Sequence, residues 1–150
     1  MATKKRSEKQ TFFDLQSFAV VGNTDFRPFP KLTYHNLREL DKKVYPVELG
    51  GARYVEGDEA FPSVADLPEK VDGVIIELPR HKVLDVVKQV AESGIRDLWL
   101  HMGCDSPEVL DFCEEQGIRV RHGGCAVMYT QKGFSYHSIH RFLVKLAGKY

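Results

Sequence analysis

The chain of 150 residues predicts a single α/β domain built on a doubly wound parallel sheet of five strands with flanking helices. Short apolar runs rich in β-branched residues recur at Phe18 to Val21, Val44 to Val47, Val74 to Leu78, Leu98 to Leu100 and Ile118 to Val120, each reading as a buried strand. Successive runs start roughly 20 to 30 residues apart, too far for hairpins and suited to right-handed parallel crossovers. Several of the segments between them carry helix start and stop signals, the alternation expected of an α/β sheet.

Taken in order, residues 1 to 8 look disordered, with Lys4, Lys5 and Arg6 as solvated charge, so residues 1 to 10 are expected to be a disordered tail and the domain to run from residue 11. After the first strand a proline-rich turn, Asp25 to Pro30, leads to a helix from about Lys31 to Asp41 with Pro30 near its start. The second crossover has no long helical stripe; Ala52 to Val64 is expected to be irregular, and Val64 to Glu69 allows at most a short helical turn. Between His81 and Ser93, Val83, Leu84, Val87, Val90 and Ala91 form one helical face, closed by Gly94. Ser106 is a good N-cap with Pro107 at the first helical position, followed by Val109, Leu110 and Cys113 and ended by Gly117. Tyr136, Ile139, Leu143 and Leu146 behind Ser135 predict a closing helix from about residue 135.

Equal numbers of basic and acidic residues, 21 each, give no whole-molecule field for nucleic acid. An anionic ligand must be met by a few local cations, which favours a small molecule. No apolar run approaches a bilayer span and the N-terminus lacks a secretion-signal core, so a cytoplasmic protein is expected. Three cysteines, Cys104, Cys113 and Cys125, without a CxxC pair, point to free thiols.

The segment Phe18-Ala-Val-Val-Gly-Asn-Thr-Asp25 carries the clearest functional signal. A glycine closing the first strand lets a phosphate approach the backbone, with the following amides, the Thr24 hydroxyl and a helix N-terminus as donors. The same glycine is equally explained as a plain turn, although the crevice of an open parallel sheet lies at this end of the strands. The GxGxxG of a dinucleotide fold is missing, while Glu48 occupies the acidic position that would hold the ribose of NAD.

With Arg27, Pro28 and Pro30 before the first helix, Lys43-Val-Tyr-Pro-Val47, Phe61-Pro-Ser-Val-Ala-Asp-Leu-Pro68, Leu78-Pro79 and a cysteine after the fifth strand, the chain resembles the stand-alone CoA-binding domain proteins related to the N-terminal domain of the succinyl-CoA synthetase α subunit. The resemblance covers about residues 13 to 130. It implies a five-stranded Rossmann-like sheet that binds coenzyme A or an acyl-CoA through its ADP moiety, as a binding module without a complete ligase cycle. By position, Gly22, Asn23, Thr24, Asp25 and Arg27 would form the phosphate-side turn, Lys43 would be the basic residue opening the second strand near the ligand, and Leu78, Pro79 and Arg80 would line the nucleotide. A pyrophosphate and a 3′-phosphate favour Arg and Lys, and an adenine favours apolar walls. The chain departs from the family in having Pro30-Lys31 where relatives often place a small hydroxyl residue. A homodimer through the closing helix, or a protein partner, is compatible with the sequence.

Two HxxC motifs, His101-Met-Gly-Cys104 and His122-Gly-Gly-Cys125, end the fourth and fifth strands. If their side chains converge, they suit tetrahedral zinc or a Cys125 nucleophile and hence an enzyme. Otherwise they are small core fillers and loop histidines.

Overall fold

The computed structural model describes residues 7–130. Five parallel strands, β1 (Ser17–Gly22), β2 (Lys43–Glu48), β5 (Gly73–Ile76), β6 (Asp97–His101) and β7 (Arg119–Gly124), lie in the order β2-β1-β5-β6-β7. The chain order reverses between β1 and β5, so the switch point falls there, as expected for a doubly wound sheet. Both faces are buried, which is why the strands read as continuous apolar runs. Ala19, Val21, Val74, Ile76, Leu98 and Leu100 pack on one face, against α3 (Arg80–Glu92) and α4 (Pro107–Gln116). Phe18, Val20, Ile75 and Trp99 pack on the other, with Phe12, Phe13, Tyr34 and Leu37.

The local signals account for the helix ends. Ser106 caps α4 by accepting a hydrogen bond from the Val109 amide, and Gly117 closes it in the left-handed region at φ 69°, where a Cβ would be strained. The first crossover helix, α2, runs Lys31–Glu39, ending two residues before the expected Asp41.

The excursion between β2 and β5 is more ordered than the sequence suggests. A two-residue turn at Glu56 and Gly57, both at positive φ, joins β3 (Tyr54–Val55) to β4 (Asp58–Glu59), and Val64–Asp66 makes one 3-10 turn. Phe61 then pairs with Val47, covering the outer edge of β2.

Residues 7–10, taken from the sequence as part of a disordered start, differ. Ser7 and Gln10 form a reciprocal capping box that opens α1 (Glu8–Phe12), and Phe12 is anchored among Phe13, Phe18 and Trp99. The four-residue α5 (Val127–Thr130) ends the described chain. The closing helix expected from about residue 135, and the dimer suggested through it, lie outside the described residues. Among the described residues no helix is long and apolar enough to cross a membrane.

Candidate functional site

Parallel strands all finish at one end of the sheet, and the loops after β1, β5 and β6 meet there beside the switch point. The β1 loop does not hold its amides free. The Thr24 amide donates to Glu48 at 2.6 Å, that of Asp25 to the Asn23 side-chain oxygen at 3.0 Å, and those of Phe26 and Arg27 to the Asn23 carbonyl at 3.1 and 3.3 Å. The turn is therefore self-satisfied, and what it leaves available at the surface is side chains rather than main-chain donors.

Gly22 has a packing reason to be glycine. A Cβ there would lie 2.6 Å from Pro30 Cδ and 2.9 Å from Phe29 Cδ2, so the approach it permits is that of the chain entering α2, not of a phosphate. Beyond it Thr24, Asp25 and Arg27 are exposed, while Asn23 is buried.

Glu48 ends β2 with its carboxylate turned inward. It accepts from the amides of Thr24 (2.6 Å), Gly50 (3.1 Å) and Ala52 (2.9 Å) and is 1% exposed. Committed to main chain on both oxygens, it cannot grip a ribose hydroxyl, and the NAD reading loses its second support as it had already lost the glycine fingerprint.

On the β5 side, Leu78 is buried in the core and only its carbonyl faces the β6 loop, accepting from the Cys104 thiol at 3.2 Å. Pro79 caps α3 without a side-chain hydrogen bond, leaving the first turn of a 13-residue helix beside the exposed Arg80, His81 and Lys82. Arg80 Nε donates to the Gly103 carbonyl at 3.2 Å, tying this loop to that of β6. Phe26, half exposed, meets the His81 ring edge-on at 5.4 Å and lies under Lys82 Nζ, so the β1 loop leans onto the start of α3. The Arg27 charge also acts on the Cys104 thiol. The structure thus gathers Asn23, Thr24, Asp25, Arg27, Pro79 and Arg80 at one end.

Lys43 does not join them. It is the first residue of β2 and pairs with Ser17 at the start of β1, roughly 16 Å of strand from Glu48 at a rise of about 3.3 Å per residue. Its ammonium forms an ion pair with Glu69. The exposed basic residue at the ligand end of β2 is Arg53, on the loop after it.

The two HxxC motifs do not converge. With Trp99 opposite Arg121 the regular register already runs one residue off the motif spacing, and a shift after Trp99 widens this by pairing His101 with Gly124; each side chain has a separate partner. His101 Nε2 lies 3.9 Å from Glu77, His122 Nδ1 3.5 Å from Asp105, and Cys104 bonds to Leu78. Among the described residues no three His, Cys, Asp or Glu side chains are placed to hold a metal ion. Burial pushes the Cys125 thiol above its ordinary range, and the nearby Glu77 charge adds to this, outweighing hydrogen bonds from the Val127 and Met128 amides. Such a thiol is protonated and slow at neutral pH, the opposite of an activated nucleophile. Glu77, a charged residue directly after the apolar β5 run and before Leu78-Pro79, is the sequence signal for a group whose charge reaches both His101 and Cys125.

Surface clefts of about 350 and 290 Å³ lie elsewhere, one at the strand starts by Lys70 and Asp97, the other at the β2 edge by Tyr34 and Phe61. Both are away from the strand ends where a parallel sheet presents its ligand crevice.

Residues 16–131 match the family described as CoA binding domain, which is most of the chain. The chain belongs to the CoA-binding domain family. It is 32% identical over 87 residues to the acetate–CoA ligase [ADP-forming] II subunit alpha of Pyrococcus furiosus, covering 57% of this chain and 19% of that one. It is 29% identical over 103 residues to the acetate–CoA ligase [ADP-forming] II of Archaeoglobus fulgidus, covering 61% and 15%. This domain therefore spans less than a fifth of the length of either ligase. Among solved structures, a conserved hypothetical protein from Pyrococcus furiosus superposes with a TM-score of 0.69 at 28% identity, over 77% of this chain and 99% of that one. The fold and family expected from the ordered loop motifs are those found.

Proposed function

We propose that this domain binds coenzyme A or an acyl-CoA through the ADP moiety, over the loops that follow β1 and β5. The observation that carries the reading is the placement of Arg27 and Arg80 on those two loops, flanking the switch point beside the uncapped start of α3, in a chain of the CoA-binding domain family. Arg27 and Arg80 supply planar forks for phosphate oxygens, and the helix start adds a favourable dipole. Asn23, Thr24, Asp25 and Pro79 shape the pocket around them, Gly22 and Leu78 support it from the core, and Lys43 is not part of it.

A binding-module role is the part of the reading that the family match to a CoA binding domain supports. One of the two ligases is named as a subunit, which supports a protein partner that accepts or supplies the bound CoA in the cytoplasm. Titration calorimetry with CoA, acetyl-CoA, NAD and ATP tests the ligand. Binding of the CoA species with little or no NAD binding is expected, and NAD binding without CoA binding would overturn the reading.

A further inference from the structure

We propose that Glu48 is a resident anion that fills the amide nest after β1 and thereby keeps dinucleotide phosphates out of it, making it a specificity-determining residue of the CoA site. The inference rests on the proposed ligand class only for its consequence, not for its geometry. Three backbone amides, from Thr24, Gly50 and Ala52, point at one carboxylate. Convergent main-chain donors of this kind form a concavity that binds anions. Here the anion is the chain's own.

The nest is tightly built. A Cβ on Gly50 would lie 2.7 Å from Thr24 Oγ1 and 2.9 Å from Asn23 Oδ1, so the loops after β1 and β2 close on each other as nearly as glycine allows. The carboxylate between them is 1% exposed, and its charge is met by hydrogen bonds instead of water, which makes those bonds strong and their loss costly. A phosphate entering the same space would bring a second negative charge into contact with the first and would find the donors taken. Phosphates of a bound ligand are left to Arg27, Arg80 and the start of α3, across the switch point. In dinucleotide folds the acid at the end of the second strand faces outward to a ribose. In this chain the same position faces inward and has the opposite effect.

Replacing Glu48 with alanine empties the nest, and the test is whether an added anion refills it. Melting temperatures of wild type and Glu48→Ala are measured in acetate, pyrophosphate and chloride at matched ionic strength, with NAD and CoA titrated into both. The variant is expected to melt lower than wild type in chloride and to recover in acetate or pyrophosphate by more than the wild type shifts. Its NAD affinity is expected to rise by about tenfold or more, the scale of one regained charge-assisted hydrogen bond. A folded variant that neither anion stabilises beyond the wild-type shift would overturn the proposal. Should Glu48→Ala fail to fold, Glu48→Gln keeps the volume and removes the charge, and an NAD affinity equal to that of wild type would sink it. Failure of wild type to bind CoA would defeat the ligand reading alone, because anion rescue reports on the nest directly.

Discussion

Two buried carboxylates sit at opposite ends of the sheet and are satisfied in opposite ways. Asp97 opens β6 and accepts from Arg119 at 2.7 and 3.0 Å and from Arg121 at 2.7 Å. Glu48 closes β2 and takes its donors from the main chain. At the strand starts, guanidinium groups are consumed in neutralising an internal acid, and Arg121 is further held over the Phe12 ring. At the strand ends, backbone amides do that work; Arg80 donates to the Gly103 carbonyl, and among the described residues neither Arg27 nor Arg80 pairs with a carboxylate. The difference separates an end whose guanidinium groups are spent on an internal acid from an end that keeps its positive charge, as the proposed ligand site requires.

The comparison is broken most sharply by removing the retained cations. Arg27→Ala and Arg80→Ala are each expected to weaken CoA binding by about tenfold or more, and the double variant by about a hundredfold, from charged hydrogen bonds of about 1.5–3 kcal/mol each. Calorimetry reads this directly, and a double variant that binds CoA like wild type would place the anion site elsewhere.

The next effect is on stability and belongs to the other end. Asp97→Asn strands Arg121, whose side chain is 12% exposed, and should cost about 3 kcal/mol; Arg119, 70% exposed, adds little. Denaturant unfolding should show this loss with CoA affinity unchanged. Burial alone would raise the Asp97 pKa, but hydrogen bonds and charge from Arg119 and Arg121 outweigh it and hold the carboxyl below its usual range. With the folded value depressed, the stabilisation is complete above the unfolded carboxylate pKa of about 4 and is lost as pH falls through the folded value. Wild type should therefore lose more stability than Asp97→Asn on acidification below about pH 4.

Gly22→Ala sharpens the comparison from the middle of the sheet. Its new methyl would press on Pro30 and Phe29, an overpacking expected to cost about 2 kcal/mol. Because the clash falls on the entry to α2 and not on a ligand, the variant should melt lower yet retain CoA binding when folded. A loss of affinity without a loss of stability would show that a phosphate does approach this glycine.

What the sequence made legible was local. The strand runs, Ser106-Pro107 and Gly117 specify their elements through neighbouring residues, and the order of loop motifs sufficed for fold and family. For the candidate site, what the sequence made legible was placement: Arg27 and Arg80 stand on the loops after β1 and β5, as the loop order implied. The inward turn of Glu48 depends on an amide 24 residues away, and nothing in the β2 run signals it. Equal HxxC spacing suggested convergence, but the β6–β7 register is offset from the motif spacing by one residue and the shift after Trp99 adds another, pairing His101 with Gly124, and neither is revealed by spacing. The capping box at Ser7 and Gln10 was readable and was masked by the charge run just before it.

Lys43 tests the comparison at its finest, since the sheet topology places it beside Ser17 at the strand starts. In a parallel sheet every strand starts at the same end, so a residue opening β2 stands with Ser17 and Asp72, opposite the loops that close the strands. Its ammonium is exposed and paired with Glu69, whose carboxylate, with Tyr45 between them, holds the lysine charged. Lys43→Ala is expected to leave CoA affinity within about twofold of wild type, because screening over roughly 16 Å of strand removes most of a surface charge's reach. Arg53→Ala, on the loop after the same strand, should weaken binding more. The reverse order in calorimetry would mean that the ligand lies across the strand starts, and the division of the sheet into a structural end and a binding end would fail with it.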